Sequence, residues 1–159
     1  MNSKKLQHYV AVIGGGQAEE TILVIAYEVG QEIARRGAVL VCGGLGGVMQ
    51  AAAQGANEAG GVTIGILPGP DRRAPNPFLT YSLVTNLGHA RNMVIAHSAE
   101  GLIAVGGGYG TISEAAIGLK LGKPVVGLLT AWHLDGMKKA LTPGEAVDHI
   151  WAEISSGMV

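Results

Sequence analysis

Residues 106–114 combine backbone flexibility with side chains that can do chemistry. Their order is Gly-Gly-Gly-Tyr-Gly-Thr-Ile-Ser-Glu; the apolar run 101–105 precedes them, and a segment with helical periodicity follows. A glycine turn between a strand and a helix directs backbone N–H groups and the positive end of the helix dipole toward a bound anion. The sequence therefore predicts a phosphate cradle at this turn.

Two side chains of this stretch have alternative interpretations. Thr111 either caps the predicted helix or donates its hydroxyl to the ligand. Glu114 would repel a phosphate, so it is expected to face a hydroxyl or a leaving group of the ligand. Alternatively, Glu114 closes a capping box with Thr111 and only stabilises the start of the helix. The residues of this stretch alone leave both interpretations open.

A second polar cluster, residues 85–92, precedes the cradle and contains Arg91. Arg91 lies just inside a predicted helix that follows a strand, so it is expected to reach the same crevice as Glu114. A guanidinium can hold a phosphate or a carboxylate through two parallel hydrogen bonds. The alternative is an Arg91–Glu114 ion pair that supports the fold. Arg72 and Arg73 either clamp a ligand or are solvated.

The pattern of the chain predicts the scaffold that positions these residues. Apolar runs predict strands at 9–13, 38–42, 62–67, 81–84, 101–105 and 125–129, and helical periods predict helices at 17–36, 48–59, 89–98, 111–121 and 143–155. Strands without a polar face indicate a parallel sheet that is covered on both sides. We therefore expect an α/β fold: one Rossmann-like doubly wound parallel sheet with helices on both faces, forming a single domain over residues 1–159.

Glycine clusters follow three of the predicted strands, at 14–16, 43–47 and 106–110. Ligands of doubly wound sheets bind at the carboxyl ends of the strands, so all three clusters are expected at one edge. The residues predicted to form the ligand site are Gly14, Gly15, Gly16, Gly43, Gly44, Gly46, Arg91, Gly106, Gly107, Gly108, Tyr109, Gly110, Thr111 and Glu114.

Several common sites do not match the sequence. The dinucleotide fingerprint G-x-G-x-x-G/A fails at two glycine turns, because Glu19 and Thr111 occupy its last position. Gly43 and Gly44 stand where an acidic residue would hold the ribose, so we expect no NAD. The scattered histidines predict no metal site. The lysines do not fall on the predicted crevice, which argues against a Schiff base and hence against pyridoxal phosphate.

Composition restricts location and partners. The net charge is −1 and no basic stripe is present, which argues against a nucleic-acid polymer as partner. Cys42 is the only cysteine and ends an apolar run, which favours a buried structural thiol over a nucleophile and fits a reducing, cytoplasmic location. The long uncharged runs contain many glycines, so no membrane span is expected. Only 14% of the residues are charged, which predicts a homo-oligomer, a dimer or a tetramer.

The two motifs together resemble a known superfamily. Gly88-His-Ala-Arg-Asn92, followed by residues 106–114, is similar to the LOG-type proteins, long labelled possible lysine decarboxylases. The similarity runs from about residue 9 to residue 129. Members with the signature P-G-G-x-G-T-x-x-E are phosphoribohydrolases, which split a nucleoside 5′-monophosphate into base and ribose 5-phosphate. For such an enzyme the resemblance implies that Arg91 and Glu114 are the catalytic pair, and that the phosphate is held by Gly107, Gly108, Gly110 and Thr111.

The sequence also departs from that signature. Val105 and Gly106 stand where Leu-Pro is expected, and the first glycine turn lacks the usual serines. These features resemble the branch that includes molybdenum cofactor carrier proteins, which form homo-oligomers and hold a phosphorylated pterin without converting it. The resemblance implies a carrier with the cofactor's phosphate at 106–111 and room for the pterin at 14–16 and 43–47. The alternatives are the phosphoribohydrolase and a nucleotide-sensing module without turnover.

Overall fold

The computed structural model describes residues 6–73 and 75–156, and it contains one parallel β-sheet. The strands are β1 (Tyr9–Gly14), β2 (Val39–Cys42), β3 (Thr63–Leu67), β4 (Tyr81–Val84), β5 (Gly101–Val105), β6 (Val125–Leu128) and β7 (Lys138–Lys139). Their order in the sheet is β4-β3-β2-β1-β5-β6-β7, and each neighbouring pair is parallel. The chain reverses its direction of travel across the sheet after β4, which is the topology of a doubly wound fold.

Helices cover both faces of this sheet. They are α1 (Glu20–Arg35), α2 (Val48–Glu58), α3 (Arg91–Ser98), α4 (Tyr109–Lys120) and α5 (Pro143–Ser156), and a 3₁₀ turn at Gly88–Ala90 leads into α3. One core layer packs α1, α2 and α5 against the sheet, and the other packs α3 and α4 against its opposite face. The predicted fold class is therefore confirmed.

The central strand β1 shows why the sheet needs two layers. Val10 and Val12 belong to the layer of α1, α2 and α5, whereas Ala11 and Ile13 belong to the layer of α3 and α4. All four side chains are buried. Successive side chains of a strand point to opposite faces, so an uninterrupted apolar strand is stable only between two covering layers.

Helices α1 and α2 touch through their backbones. A Cβ atom at Gly30 would overlap the carbonyl oxygen of Ala52, and a Cβ atom at Gly55 would overlap the carbonyl oxygen of Tyr27. The two glycines thus allow an approach that any larger residue would prevent. This contact fixes the two helices that follow the first and second glycine turns.

The structure differs from the predicted elements at the cradle. Helix α4 begins at Tyr109, two residues before the predicted start, and no side chain caps it. Thr111 therefore lies inside the first turn, and the predictions that it caps the helix or forms a capping box with Glu114 are wrong. The physical reason is that Gly108 takes the cap position with non-helical backbone angles (φ −122°, ψ −144°), so the first helical turn contains Tyr109, Gly110 and Thr111.

Strand β7 is absent from the predicted elements. It consists of Lys138 and Lys139, which are both exposed, and it pairs with β6 at the edge of the sheet. A strand is predicted from apolar residues, either in a run or at alternate positions, and two consecutive lysines show neither pattern. Charged residues on an edge strand discourage further pairing.

Candidate functional site

The carboxyl ends of β2, β1 and β5 lie side by side and bring the three glycine turns together. The backbone N–H of Val48 donates to the carbonyl oxygen of Gly15 at 3.0 Å, which joins the first turn to the second. A Cβ atom at Gly14 would lie 2.8 Å from the carbonyl oxygen of Val105, so the first turn also contacts the end of β5. The turns 14–16, 43–47 and 106–110 thus form one continuous rim.

The backbone amides after β5 divide into two groups. The N–H of Gly106 donates to the carbonyl oxygen of Leu128 at 2.9 Å, so it is used by the sheet. Within the described part of the chain, no acceptor is hydrogen-bonded to the N–H groups of residues 107–111. Because Gly108 and Gly110 also have open space where a Cβ would stand, this helix start is accessible to an anion.

Arg91 is the first residue of α3 and is 9% exposed. Its guanidinium lies against the end of β2, where a Cβ atom at Gly43 would overlap Nη1. The buried Nε atom of Arg91 has no hydrogen-bond partner among the described residues. Burial lowers the pKa of Arg91, and the nearby Glu114 carboxylate opposes that shift. A buried cation with an unused donor is costly for a fold and is suited to binding an anion.

Glu114 lies on α4 and is 7% exposed. Burial raises the pKa of its carboxyl group to about 7, and the charge of Arg91 opposes that shift. Among the ion pairs of the described residues, none joins Arg91 to Glu114, so the predicted alternative of a structural ion pair is wrong. The two groups influence each other through space while both stay free to meet a ligand.

Cys42 is the last residue of β2, immediately before Gly43, and is fully buried. Burial raises the pKa of its thiol to about 11. A thiolate, rather than a thiol, is the nucleophile, so this cysteine is a structural residue of the core, as predicted.

Asn76 contacts the second glycine turn, and the sequence patterns did not indicate this contact. Its backbone N–H donates to the carbonyl oxygen of Gly44 at 2.9 Å, and its side-chain amide donates to the carbonyl oxygen of Leu45 at 3.2 Å. Its side-chain oxygen accepts from the N–H of Phe78 at 3.0 Å. Asn76 thereby fastens the proline-rich loop 68–78, which connects β3 to β4, to the second glycine turn. Its position between Pro75 and Pro77 was the available signal, because asparagine often closes local turns of this kind.

The two arginines of the same loop do not form a clamp in the structure. Arg72 is exposed, and Arg73, whose side chain is 89% exposed, pairs with Asp71 at 2.7 Å. Asp71 and Arg73 border a cavity of about 200 Å³ beside Leu45 and Leu67. This arrangement agrees with the solvated interpretation of the two arginines.

Trp132 is a second residue that the sequence patterns did not indicate. It lies on the segment that connects β6 to β7, and its indole N–H donates to the carbonyl oxygen of Gly107 at 3.2 Å. No feature of its own sequence surroundings placed it beside the cradle, because the contact spans 25 positions of the chain.

The described residues hold no group of three or more His, Cys, Asp or Glu side chains that is arranged to bind a metal ion. No helix within residues 6–73 and 75–156 is long and apolar enough to cross a membrane.

Comparison with known proteins assigns the chain to a family. The model of the SLOG cluster4 family matches residues 7–150. The chain belongs to this family. The similarity to LOG-type proteins that the two sequence motifs predicted is thereby confirmed. A relative of this SLOG cluster4 protein, an uncharacterized protein of Archaeoglobus fulgidus, is 49% identical over 140 residues, which are 88% of this chain and 92% of the relative.

Solved structures of two other proteins are similar over nearly the whole chain. The molybdenum cofactor binding protein of the phototrophic bacterium Rippkaea orientalis is 37% identical with a TM-score of 0.90, and the match covers 94% of this chain and 99% of the other. The molybdenum cofactor carrier protein of Chlamydomonas reinhardtii is 38% identical with a TM-score of 0.86, with the same coverage. The SLOG cluster4 protein therefore shares its fold with proteins that bind or carry molybdenum cofactor.

Proposed function

We propose that this SLOG cluster4 protein binds molybdenum cofactor by its phosphate at the carboxyl edge of the sheet and carries it without converting it. The observation that carries the proposal is the set of unused donors at this edge. The N–H groups of residues 107–111 and the Nε atom of Arg91 have no acceptor among the described residues. A phosphate monoester supplies the acceptors that these donors lack.

The charges around the cradle support a phosphate ligand. The start of α4 provides a positive dipole end, and Arg91 provides a full positive charge. Glu114 would oppose a phosphate only when ionised. Because burial raises its pKa to about 7, the carboxyl group is protonated in a large fraction of molecules at neutral pH, and it can then donate to a phosphate oxygen.

The remaining glycine turns support a ligand that extends beyond the phosphate. Neighbouring strands lie about 4.8 Å apart, so the end of β2 is about 10 Å from the end of β5. Gly16 has open space where a Cβ would stand, and the second turn leads to the cavity beside Leu45 and Leu67. We infer that the pterin lies across the turns at 14–16 and 43–47.

The proposal is tested by incubating the purified protein with molybdenum cofactor under air and following the loss of intact cofactor. We expect the wild-type protein to bind the cofactor and to slow its oxidation. Arg91→Met is expected to abolish most of this protection, because it removes the buried cation. The matched control is Arg72→Met, which removes an exposed arginine and should protect like the wild type. Failure of the wild-type protein to bind or protect the cofactor contradicts the proposal.

A second candidate function is the hydrolysis of nucleoside 5′-monophosphates. The observation in its favour is the pKa of about 7 at Glu114, near the Arg91 guanidinium. A carboxyl group with a pKa near the working pH is suited to proton transfer. Incubation with a panel of nucleoside monophosphates distinguishes the two functions. Release of ribose 5-phosphate that is lost in Glu114→Gln supports the enzyme, and absence of release supports the carrier.

We also propose that the chain forms a homo-oligomer through the edge strand β4. Three of its side chains are exposed although they are apolar or aromatic: Tyr81 at 61%, Leu83 at 52% and Val84 at 41%. An exposed apolar edge strand is a template for pairing with another chain. Light scattering should give a dimer or a tetramer, and Leu83→Lys should shift it toward the monomer. A monomeric wild-type protein contradicts this proposal. The cytoplasmic location and the single-domain organisation stay predictions.

A further inference from the structure

The segment after β6 adds a fourth element to the ligand-binding edge. Leu129 follows β6 directly, has a left-handed backbone with φ of 52°, and is 58% exposed. Such a conformation is unfavourable for leucine and is typically kept where the surrounding structure requires it. The carbonyl oxygen of the preceding residue, Leu128, accepts the N–H of Gly106. The residue from which the segment starts is thus hydrogen-bonded to the glycine turn 106–110.

Trp132 makes the second connection between this segment and the turn. Its ring is partly buried and packs against the core layer that contains α3 and α4. Its indole N–H donates to the carbonyl oxygen of Gly107 at 3.2 Å. The ring is therefore held by the core at one side while its polar group reaches the backbone of the cradle.

The hydrogen bond to Gly107 determines the direction of the next amide. The carbonyl group of Gly107 and the N–H of Gly108 belong to one planar trans peptide unit, so they point in opposite directions. Since Trp132 holds the carbonyl group, the N–H of Gly108 points away from Trp132. That N–H is among the donors without an acceptor in the described chain.

The peptide unit between Gly107 and Gly108 needs such a restraint. Gly107 has φ of 90°, and a Cβ atom there would overlap the hydroxyl of Thr111, so no other residue fits. Glycine adopts many backbone conformations, and two consecutive glycines leave the peptide unit free to rotate. A restraint on the carbonyl group therefore removes alternative orientations before a ligand arrives, which lowers the entropic cost of binding.

We propose that Trp132 is a positioning residue for the phosphate of the ligand, holding the 107–108 peptide so that the N–H of Gly108 faces the cradle. This inference rests on the proposed function, because it assumes that the cradle binds a phosphate group. It assigns a role in binding to the segment after β6, in addition to the three glycine turns. Trp132 acts through the backbone and is not required to touch the ligand.

The test compares two tryptophan substitutions. Trp132→Phe keeps an aromatic ring in the core but removes the indole N–H. Trp151→Phe is the matched control, since Trp151 packs on His8 at the amino end of β1. Binding of inorganic phosphate and of molybdenum cofactor is measured for each variant, and the Gly108 amide resonance is followed by ¹H–¹⁵N NMR during the phosphate titration.

We expect about tenfold weaker binding of both ligands by Trp132→Phe, corresponding to the loss of one oriented hydrogen bond to a charged group. The Gly108 resonance should shift on saturation in the wild-type protein and in Trp151→Phe, and it should shift much less in Trp132→Phe. Equal affinity and an equal Gly108 shift in Trp132→Phe overturn this inference alone. Absence of binding of either ligand by the wild-type protein overturns it together with the proposed function.

A measurement on the intact indole covers the case in which Trp132→Phe does not fold. In Trp151→Phe, Trp132 is the remaining tryptophan, so the indole N–H resonance of this variant reports on the hydrogen bond to Gly107. We expect this indole proton to exchange slowly with solvent both before and after phosphate saturates the site, because the restraint exists before the ligand arrives. An indole proton that exchanges as fast as that of free tryptophan, in a protein that binds phosphate, contradicts the inference.

Discussion

Polar groups are paired differently at the two edges of the β-sheet, where the amino ends and the carboxyl ends of the strands lie. At the amino edge, His8 pairs with Glu100, and Glu100 also accepts from the N–H of Tyr9 at 3.4 Å. At the same edge the Lys123 ammonium donates to the carbonyl oxygens of Ala96 and His97, at 2.7 and 2.8 Å. At the carboxyl edge, the described residues provide no acceptor for the Nε atom of Arg91 or for the N–H groups of residues 107–111.

Under the proposed function, this difference separates groups that stabilise the fold from groups that bind the ligand. A paired polar group contributes to folding, whereas a buried group without a partner costs free energy until something binds it. At the amino edge, the side chains of His8, Glu100 and Lys123 are paired within the chain. The carboxyl edge keeps a cation, a neutralisable carboxyl group and a row of amides available, which is the state expected of a binding site.

Removal of the buried charge at Glu114 should have the largest effect on stability. The pKa of Glu114 is raised from 4.5 to about 7 in the folded protein, so the folded state binds a proton more tightly than the unfolded chain between these values. The free energy of unfolding should therefore decrease from pH 4.5 to pH 7, by on the order of 3 kcal/mol, and then level off.

Urea unfolding of the wild-type protein and of Glu114→Gln at several pH values measures this effect. Glu114→Gln should lose this decrease and be more stable than the wild type at pH 8. A decrease of the same size in both proteins would show that another group causes it, and the contrast between the two edges would lose its main electrostatic support.

Substitution of Gly43 should have the next largest effect, and it should act on binding. In Gly43→Ala the new methyl group overlaps Nη1 of Arg91 and would lie 2.5 Å from the sulfur of Met49. Displacing the guanidinium should weaken binding of inorganic phosphate about tenfold to a hundredfold, because a hydrogen bond to a charged group contributes about 1.5–3 kcal/mol. Isothermal titration calorimetry measures the change.

The control for Gly43→Ala is Gly101→Ala at the amino edge. There the methyl group would lie 2.7 Å from Ile150 in the core, which should lower the free energy of unfolding by about 1–3 kcal/mol through overpacking. Phosphate affinity should be unchanged by Gly101→Ala. Equal losses of affinity in the two variants would mean that the effect of Gly43→Ala is a general loss of structure.

Loss of Asn76 should have an intermediate effect. Asn76→Ala removes the side-chain hydrogen bonds to Leu45 and Phe78, which should lower the free energy of unfolding by about 1–2 kcal/mol. Asn76→Asp keeps the acceptor for the Phe78 amide but places a carboxylate oxygen against the carbonyl oxygen of Leu45 at a position that is 5% exposed, so at neutral pH it should be no more stable than Asn76→Ala. Thermal and urea unfolding of the three proteins test this order.

Loss of Glu100 should have the smallest effect and should leave the ligand site intact. Glu100→Ala removes partners of His8 and of the Tyr9 amide, at a cost of about 1 kcal/mol in the free energy of unfolding. Phosphate affinity should equal that of the wild type. A clear loss of affinity in Glu100→Ala would contradict the separation of roles between the two edges.

The strands and helices of the fold could be predicted because each depends mainly on residues that are close together in the sequence. The apolar run at 101–105 and the glycines that follow it indicate a strand and a turn without reference to the rest of the chain. The arrangement of the three turns at one edge then follows from the rules for parallel sheets. The cradle, Arg91 and Glu114 were therefore predicted to be neighbours, and the structure places them on adjacent elements.

Other features depend on contacts between distant parts of the chain. Trp132 reaches Gly107 across 25 positions, and Asn76 reaches Leu45 across 31. The lack of an ion pair between Arg91 and Glu114 depends on where Gly43 makes room for the guanidinium. Contacts between such distant residues are determined by how the elements pack together, and no local pattern in the sequence predicts them.

The glycine contact between α1 and α2 has a consequence for the energetics of ligand binding at the proposed site. At Gly30 and Gly55 no side chain separates the two backbones, so there is no compressible layer that would let one helix slide over the other. The first two glycine turns precede these helices and inherit their fixed separation. Under the proposed function, a ligand that lies across both turns therefore meets a surface whose shape is already fixed, and the entropy of ordering that surface is lost during folding and not during binding.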